Sequence, residues 1–172
     1  MTAAVRVARV GPADLADLAP DLARLLVDCV EGGASVGFLA SVTADDAEAF
    51  WRDTVARPEV LTWVARLDGG PVAGAVQLVL ATKPNARHRA EVTKLLVRRD
   101  ARGQGVARAL MHRLEEEAAT LGRWLLLLDT ESDSRAQMLY ERWGWRAFGV
   151  VDEHAATPDG RLAPSTFMLK RL

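Results

Sequence analysis

The order of periodic segments predicts an α/β fold: a mixed, mostly antiparallel sheet around one βαβ crossover, flanked by helices. Three observations carry that expectation. The run "RWLLLLD", residues 123–129, is continuously apolar, the mark of a strand buried on both faces. The segment "KLLVRRDARGQGVARALMHRL" passes from a strand pattern through a glycine-rich turn into a helical pattern. Elsewhere, strand-like runs are joined by hairpin signals such as Asp68-Gly69-Gly70.

Val5, Val7 and Val10 mark a short first strand. Residues 20–30 read as a helix, with Leu22, Leu25, Leu26 and Cys29 on one stripe, and Gly32-Gly33 end it. Cys29 is in register with that stripe and reads as a core thiol. Thr43 is a good cap for a second helix, and Asp45 and Asp46 suit its positive end. Ala47, Phe50, Trp51 and Val55 form its apolar stripe. "EVLTWVARL" and "PVAGAVQLVLA" then read as a hairpin. The loop "TKPNARHR" leads to the strand "AEVTKLLV". A long helix follows, its period kept by Ala107, Leu110, Met111, Leu114, Ala118 and Leu121, with Glu115–Glu117 on its wet face. After "RWLLLLD", residues 133–143 read as a helix with Ala136, Leu139, Tyr140 and Trp143 in stripe, stopped by Gly144. Two strands, around 148–151 and 165–170, close the chain across the turn "TPDGR".

A length of 172 residues suits one domain, residues 1–172. Such a chain buries roughly 70% of its unfolded surface. A net charge of −1 argues against nucleic acid as the partner, because phosphate binding needs a basic face. No apolar run reaches the ~20 residues of a membrane span, and the N-terminus lacks a signal-peptide core. These features read as a soluble cytoplasmic protein. One cysteine rules out an internal disulfide.

Chemistry concentrates at Arg102-Gly103-Gln104-Gly105-Val106-Ala107, between a strand and a helix. Glycines there let the backbone turn tightly, and the first helix amides point outward with the dipole's positive end. The result is an anion site. Arg98, Arg99, Arg108 and His112 add positive charge nearby. The segment lacks the P-loop pattern and a full dinucleotide fingerprint. A plain αβ junction without ligand is the competing reading. The other glycine-rich stretch, "VEGGASVGF", follows a helix and does not open one, so its amides lack the same geometry. His88, His112 and His154 show no pairing that suggests a metal or a triad, and no metal is expected.

Two motifs resemble the GNAT N-acetyltransferases. R-x-x-G-x-[GA] after a strand ending L-x-V is matched by Leu95-Leu96-Val97 and by Arg102 to Ala107. N-x-x-A-x-x-L-Y-x-x-x-G-[FW] is matched by "DSRAQMLYERWGW", with Asp133 in place of asparagine. The resemblance implies the GNAT fold, with acetyl-CoA as co-substrate on the βαβ crossover. The amides from Arg102 through Gly103, Gln104, Gly105, Val106 and Ala107 would take the pyrophosphate. The backbone of Leu95, Leu96 and Val97 would pair with the pantetheine arm, and one amide would stabilise charge on the thioester oxygen. Attack needs a neutral amine, so Glu91 and Asp129 are candidate bases at the cleft. Moving a proton from an alkylammonium to an unperturbed glutamate spans about six pKa units, roughly 8 kcal/mol. Either the base is tuned upward or the carboxylates anchor the ammonium electrostatically; both readings stand. Tyr140 would return a proton to the departing thiolate, or else it is a core tyrosine.

Further stretches, "EGGASVGF", "KPNARHRAEVTKL", "LLDTE" and "ATPDGRLAPS", resemble the tabtoxin-resistance acetyltransferases within that superfamily. Cofactor binding does not explain them. They imply a small polar amine as acceptor, such as an amino-acid-like toxin or antibiotic, with Gly33, Ser35 and Phe38 on the acceptor side. Protein N-termini or lysines as acceptors, and a non-catalytic acyl-CoA-binding module, are the alternatives. Exposed "WGW" aromatics would suit a homodimer interface.

Overall fold

A computed structural model describes residues 4–172. The strands are β1 (Val5–Val10), β2 (Val60–Leu67), β3 (Val72–Leu80), β4 (Arg89–Val97), β5 (Leu125–Glu131), β6 (Arg146–Ala156) and β7 (Leu162–Arg171). The helices are α1 (Leu15–Glu31), α2 (Ala44–Val55), α3 (Val106–Thr120) and α4 (Arg135–Arg142). The strands form one mixed sheet in the order β1-β2-β3-β4-β5-β7-β6. Only β4 and β5 run parallel, joined through α3 as the βαβ crossover.

Two cores sandwich the sheet. One lies under α1 and α2 and includes Leu22, Leu26, Trp51, Val64 and Leu96. The other lies under α3 and α4 and includes Trp63, Leu110, Leu126, Tyr140 and Met168. Thr43 and Asp46 form a reciprocal capping box that starts α2. Trp51 packs at the α1–α2 contact and donates its Nε1–H to the Leu22 carbonyl at 3.0 Å. Gln77, buried on β3, donates to Thr54 of α2 at 3.0 Å and to Thr62 of β2 at 3.1 Å, pinning α2 to the sheet.

Several elements differ from the sequence reading. α1 starts five residues before Pro20, which sits inside the helix. Pro20 is exposed, so the carbonyl it leaves unpaired on Ala16 faces water and costs little. β5 buries only alternate residues, Leu126 and Leu128, because its other face opens toward a cleft. α4 starts at Arg135, two residues later than the sequence pattern implied, and is capped by Ser134, whose hydroxyl accepts from Gln137 N at 3.2 Å. β6 and β7 extend well beyond their apolar centres. The "WGW" aromatics are not exposed: Trp145 is 3% exposed and Trp143 packs on the core edge. The exposed large apolar residues include Phe148, Val150 and Val151 on the edge strand β6.

Candidate active site

The site forms where the sheet opens. β4 and β5 pair at three rungs only, Arg89 with Leu125, Ala90 with Leu126 and Glu91 with Leu127. Beyond Glu91 the strands splay, and β4 from Val92 to Val97 is held on its β3 side alone. Leu95, Leu96 and Val97 therefore line an open edge whose backbone groups can pair with an extended, amide-bearing ligand.

That edge runs into the turn before α3. Gly103 and Gly105 have φ of +78° and +83°, and a Cβ at either would meet nothing within 4 Å. The dihedral, not crowding, demands glycine there. Gly105 caps α3 without a side-chain bond, and the first internal rung is Ala109 N to Gly105 O at 3.0 Å. The amides of Val106, Ala107 and Arg108 thus face outward with the dipole. Gln104 bonds back to the Asp100 carbonyl at 3.0 Å and fixes the turn.

The basic cluster is smaller than the sequence suggested. Arg98 is paired with Asp100 at 2.5 Å, and Arg99 with Asp28 at 2.7 Å and Glu31 at 3.0 Å. His112 faces Glu116 at 3.6 Å. Among the described residues, Arg102 and Arg108 make no ion pair; Arg108 lies over the Trp143 ring at 6.0 Å.

Glu91 and Asp129 stand on the splayed strands, on the sheet face that α1 and α2 leave uncovered. Loss of solvation in the cleft pushes the Glu91 carboxyl above its ordinary range, and the nearby charge of Asp129 adds to this. Tyr140 is buried at 8% exposure, edge-on to Trp143 and Trp145 at centroid distances of 6.0 and 5.8 Å. Burial raises its phenol far above the usual tyrosine range, with Asp129 contributing. The mismatch with a thiol is therefore larger than unperturbed values imply. Cys29 is buried, donates to the Val97 carbonyl at 3.5 Å and is pushed up by burial, as a core thiol would be.

Two residues escaped the sequence reading. His154 Nε2 lies 3.9 Å from Asp129 Oδ2, and its ring stands edge-on to Phe167 at 5.0 Å. A register shift between Val151 and Ala155, with Glu153 at φ +51°, places it there. Lys94 lies on β4 at φ +53° and points at Phe38 and Phe50.

The stretch at residues 32–38 divides by role. Gly33, at φ +84°, closes α1 in a Schellman motif, with Gly33 N to Val30 O at 2.9 Å and Ala34 N to Cys29 O at 3.0 Å. Ser35 is half-buried and makes no side-chain hydrogen bond among the described residues. Phe38 stacks edge-on against Phe50 at 5.2 Å and faces the cleft through Lys94. Past it, Ala40 N donates to Pro158 O at 2.8 Å, which ties this loop to the β6–β7 turn.

Residues 58–147, from β2 to the start of β6, match the family model of the acetyltransferase (GNAT) domain. The chain is 35% identical over 135 residues to an uncharacterized N-acetyltransferase from the hisH-hisA intergenic region of Azospirillum brasilense, covering 77% of this chain and 79% of that one. Among solved structures, a GCN5-related N-acetyltransferase from Kribbella flavida superposes with a TM-score of 0.79 at 24% identity, over 98% of both chains. The protein yncA of Salmonella typhimurium, solved with acetyl-CoA, gives 0.76 at 21% identity over 98% of this chain and 94% of that one. Those two likenesses concern the fold; the sequence match over residues 58–147 and the Azospirillum relative place this chain in the GNAT family of N-acetyltransferases, which use acetyl-CoA.

Proposed function

We propose that this protein, as one domain acting in the cytoplasm, moves the acetyl group of acetyl-CoA to a primary amine of a small polar molecule. An amino-acid-like toxin or antibiotic is the acceptor class. The observation that carries this reading is the Ala40–Pro158 hydrogen bond. It joins the loop just past "EGGASVGF" to "ATPDGRLAPS", two stretches that cofactor binding leaves unexplained. Together they cover the acceptor side, which favours a small molecule over a protein segment lying in an open groove.

The outward amides of α3, with Arg102 and Arg108, hold the pyrophosphate, and the open edge at Leu95–Val97 holds the pantetheine arm. When bound, the thioester supplies an activated acetyl carbonyl. Glu91 and Asp129 hold the acceptor's ammonium, and the raised Glu91 carboxyl takes its proton. As the amine nitrogen bonds the acetyl carbon and the C–S bond breaks, Tyr140 donates a hydrogen bond to the departing sulfur, and the second proton shed by the nitrogen goes to that thiolate.

Thiol release from acetyl-CoA is measured across amino acids, antibiotics, polyamines and peptides. Turnover confined to small amines is expected, with Glu91→Gln and Asp129→Asn each lowering kcat/KM about 10²-fold or more. Turnover confined to peptide N-termini or lysines would shift the acceptor to proteins. Tight binding of acetyl-CoA without any turnover would make the chain a binding module.

A further inference from the structure

The β3–β4 ladder slips at one point: Ala75 pairs with Leu96, but Gln77 pairs with Thr93. Lys94 and Leu95 thus stand opposite Val76 alone, as a β-bulge. Lys94 takes φ +53° at this bulge, a conformation that non-glycine residues seldom adopt. Such strain persists only when the surrounding structure enforces it, and it gathers at sites that bind or react.

The bulge turns the Lys94 side chain toward the acceptor loop. Its Nζ lies 5.3 Å from the Phe50 ring centroid and 6.0 Å from that of Phe38. Gly37 passes so near that a Cβ there would sit 3.5 Å from Nζ. Two ring faces attract an ammonium through their negative π-surfaces. They do not satisfy its three N–H donors. Among the described residues no carboxylate lies within 4 Å of Nζ, and no acceptor hydrogen-bonds it. Burial lowers its pKa, while Asp129 and then Glu91 act from farther off to keep it charged. A half-buried cation with open donors is a ready partner for an anion that enters the cleft. The described residues supply none at contact distance.

The cleft therefore presents two carboxylates, Glu91 and Asp129, and one unpaired cation, all on the acceptor side. We infer that Lys94 binds a carboxylate of the acceptor, so that the substrate is an amino acid or amino-acid-like zwitterion. This rests on the small-molecule reading above and narrows it.

The test pairs L-amino acids with their α-carboxamides as acceptors. The carboxamide removes the charge and lowers the amine's pKa, so chemistry alone favours the amide. Wild-type protein is expected to prefer the acids by about tenfold or more in kcat/KM, an amount typical of one charge-assisted contact. Lys94→Met should collapse that ratio to about one, and Lys94→Arg should keep part of it. Because the left-handed backbone penalises methionine too, Lys94→Asn, which tolerates that conformation, serves as the second variant. Calorimetry of N-acetyl-L-amino acids against their N-acetyl carboxamides, with coenzyme A present, reads the same preference without turnover. An unchanged acid-to-amide ratio in both variants, or a wild type that prefers amides, overturns the inference. If neither series turns over while polyamines or other small amines do, the inference is overturned and the small-molecule reading stands.

Discussion

Glu91 shows how one residue's surroundings set its chemistry. It is open to solvent, yet the cleft withdraws part of its hydration and Asp129 lies close enough to oppose its ionisation. Both effects favour the protonated acid, so its pKa rises. A base works only when deprotonated, so kcat/KM should fall as pH drops through that raised value. The acid limb is then expected above the ordinary carboxylate range near 4.3. Glu91→Gln should remove the limb and lower kcat/KM by about 10²–10⁴. A limb that survives in Glu91→Gln would move the base to the Asp129–His154 pair. The positions of Glu91, Asp129 and Tyr140 at the cleft follow from strand ends and a helix stripe that sequence spacing reveals. Lys94 and His154 were hidden for a physical reason. Each is aimed by a bulge, and a bulge is a mismatch between two strands, not a property of either strand's pattern. The partners of Lys94, Phe38 and Phe50, also lie on a distant loop and helix.

α1 links the two halves of the site. Its last turn carries Asp28, which accepts from Arg99 N at 2.9 Å and Arg99 Nε at 2.7 Å, just before the cofactor turn. Its C-terminus then leads directly into the acceptor loop. Burial raises the Asp28 pKa, but the Arg99 hydrogen bonds and charge outweigh it, and the net shift is downward. The sign follows: a depressed carboxylate pKa adds stability above the unfolded value, and that stability fades as pH falls through the folded value. Asp28→Asn should cost about 1 kcal/mol in urea unfolding at pH 7, a modest figure because Arg99 is half exposed. The cost should fade as pH falls below the ordinary carboxylate range. A loss that is independent of pH would assign the effect to packing instead. Gly33 at the end of the same helix gives a second prediction. With φ of +84° and open space around it, Gly33→Ala should cost about 1 kcal/mol in thermal unfolding, through strain and not a clash. A neutral Gly33→Ala would mean the loop relaxes out of the Schellman turn. The apolar stripes located these helices well. Their ends were less readable, because Pro20 and Asp133 obey local rules that an exposed first turn and a neighbouring serine override.

At the scale of the molecule, three rungs join β1–β4 to the remaining strands. The core under α3 and α4 bridges that seam, since it draws on β2, β3 and β4 as well as β5 and β7. The core under α1 and α2 draws on the first half only. On that face the second half of the sheet contributes no described residue to the core, and the loop after Phe38 reaches across to the β6–β7 turn. The seam is thus held on one side and open on the other, and a ligand pairing with β4 would complete it. Coenzyme A should therefore stabilise the fold and not merely occupy it. At about a hundred times its Kd, a ligand that binds only the folded state adds about 2.7 kcal/mol. For a chain of this size that corresponds to a rise in Tm of roughly 5–10 °C. Gly105→Ala strains the turn whose amides face the pyrophosphate, so it should lower the Tm of the free protein and shrink the ligand-induced rise as well. A full rise in Gly105→Ala would place the phosphates elsewhere. No rise in the wild type at saturating coenzyme A would show that the splay between β4 and β5 is not the cofactor's seat.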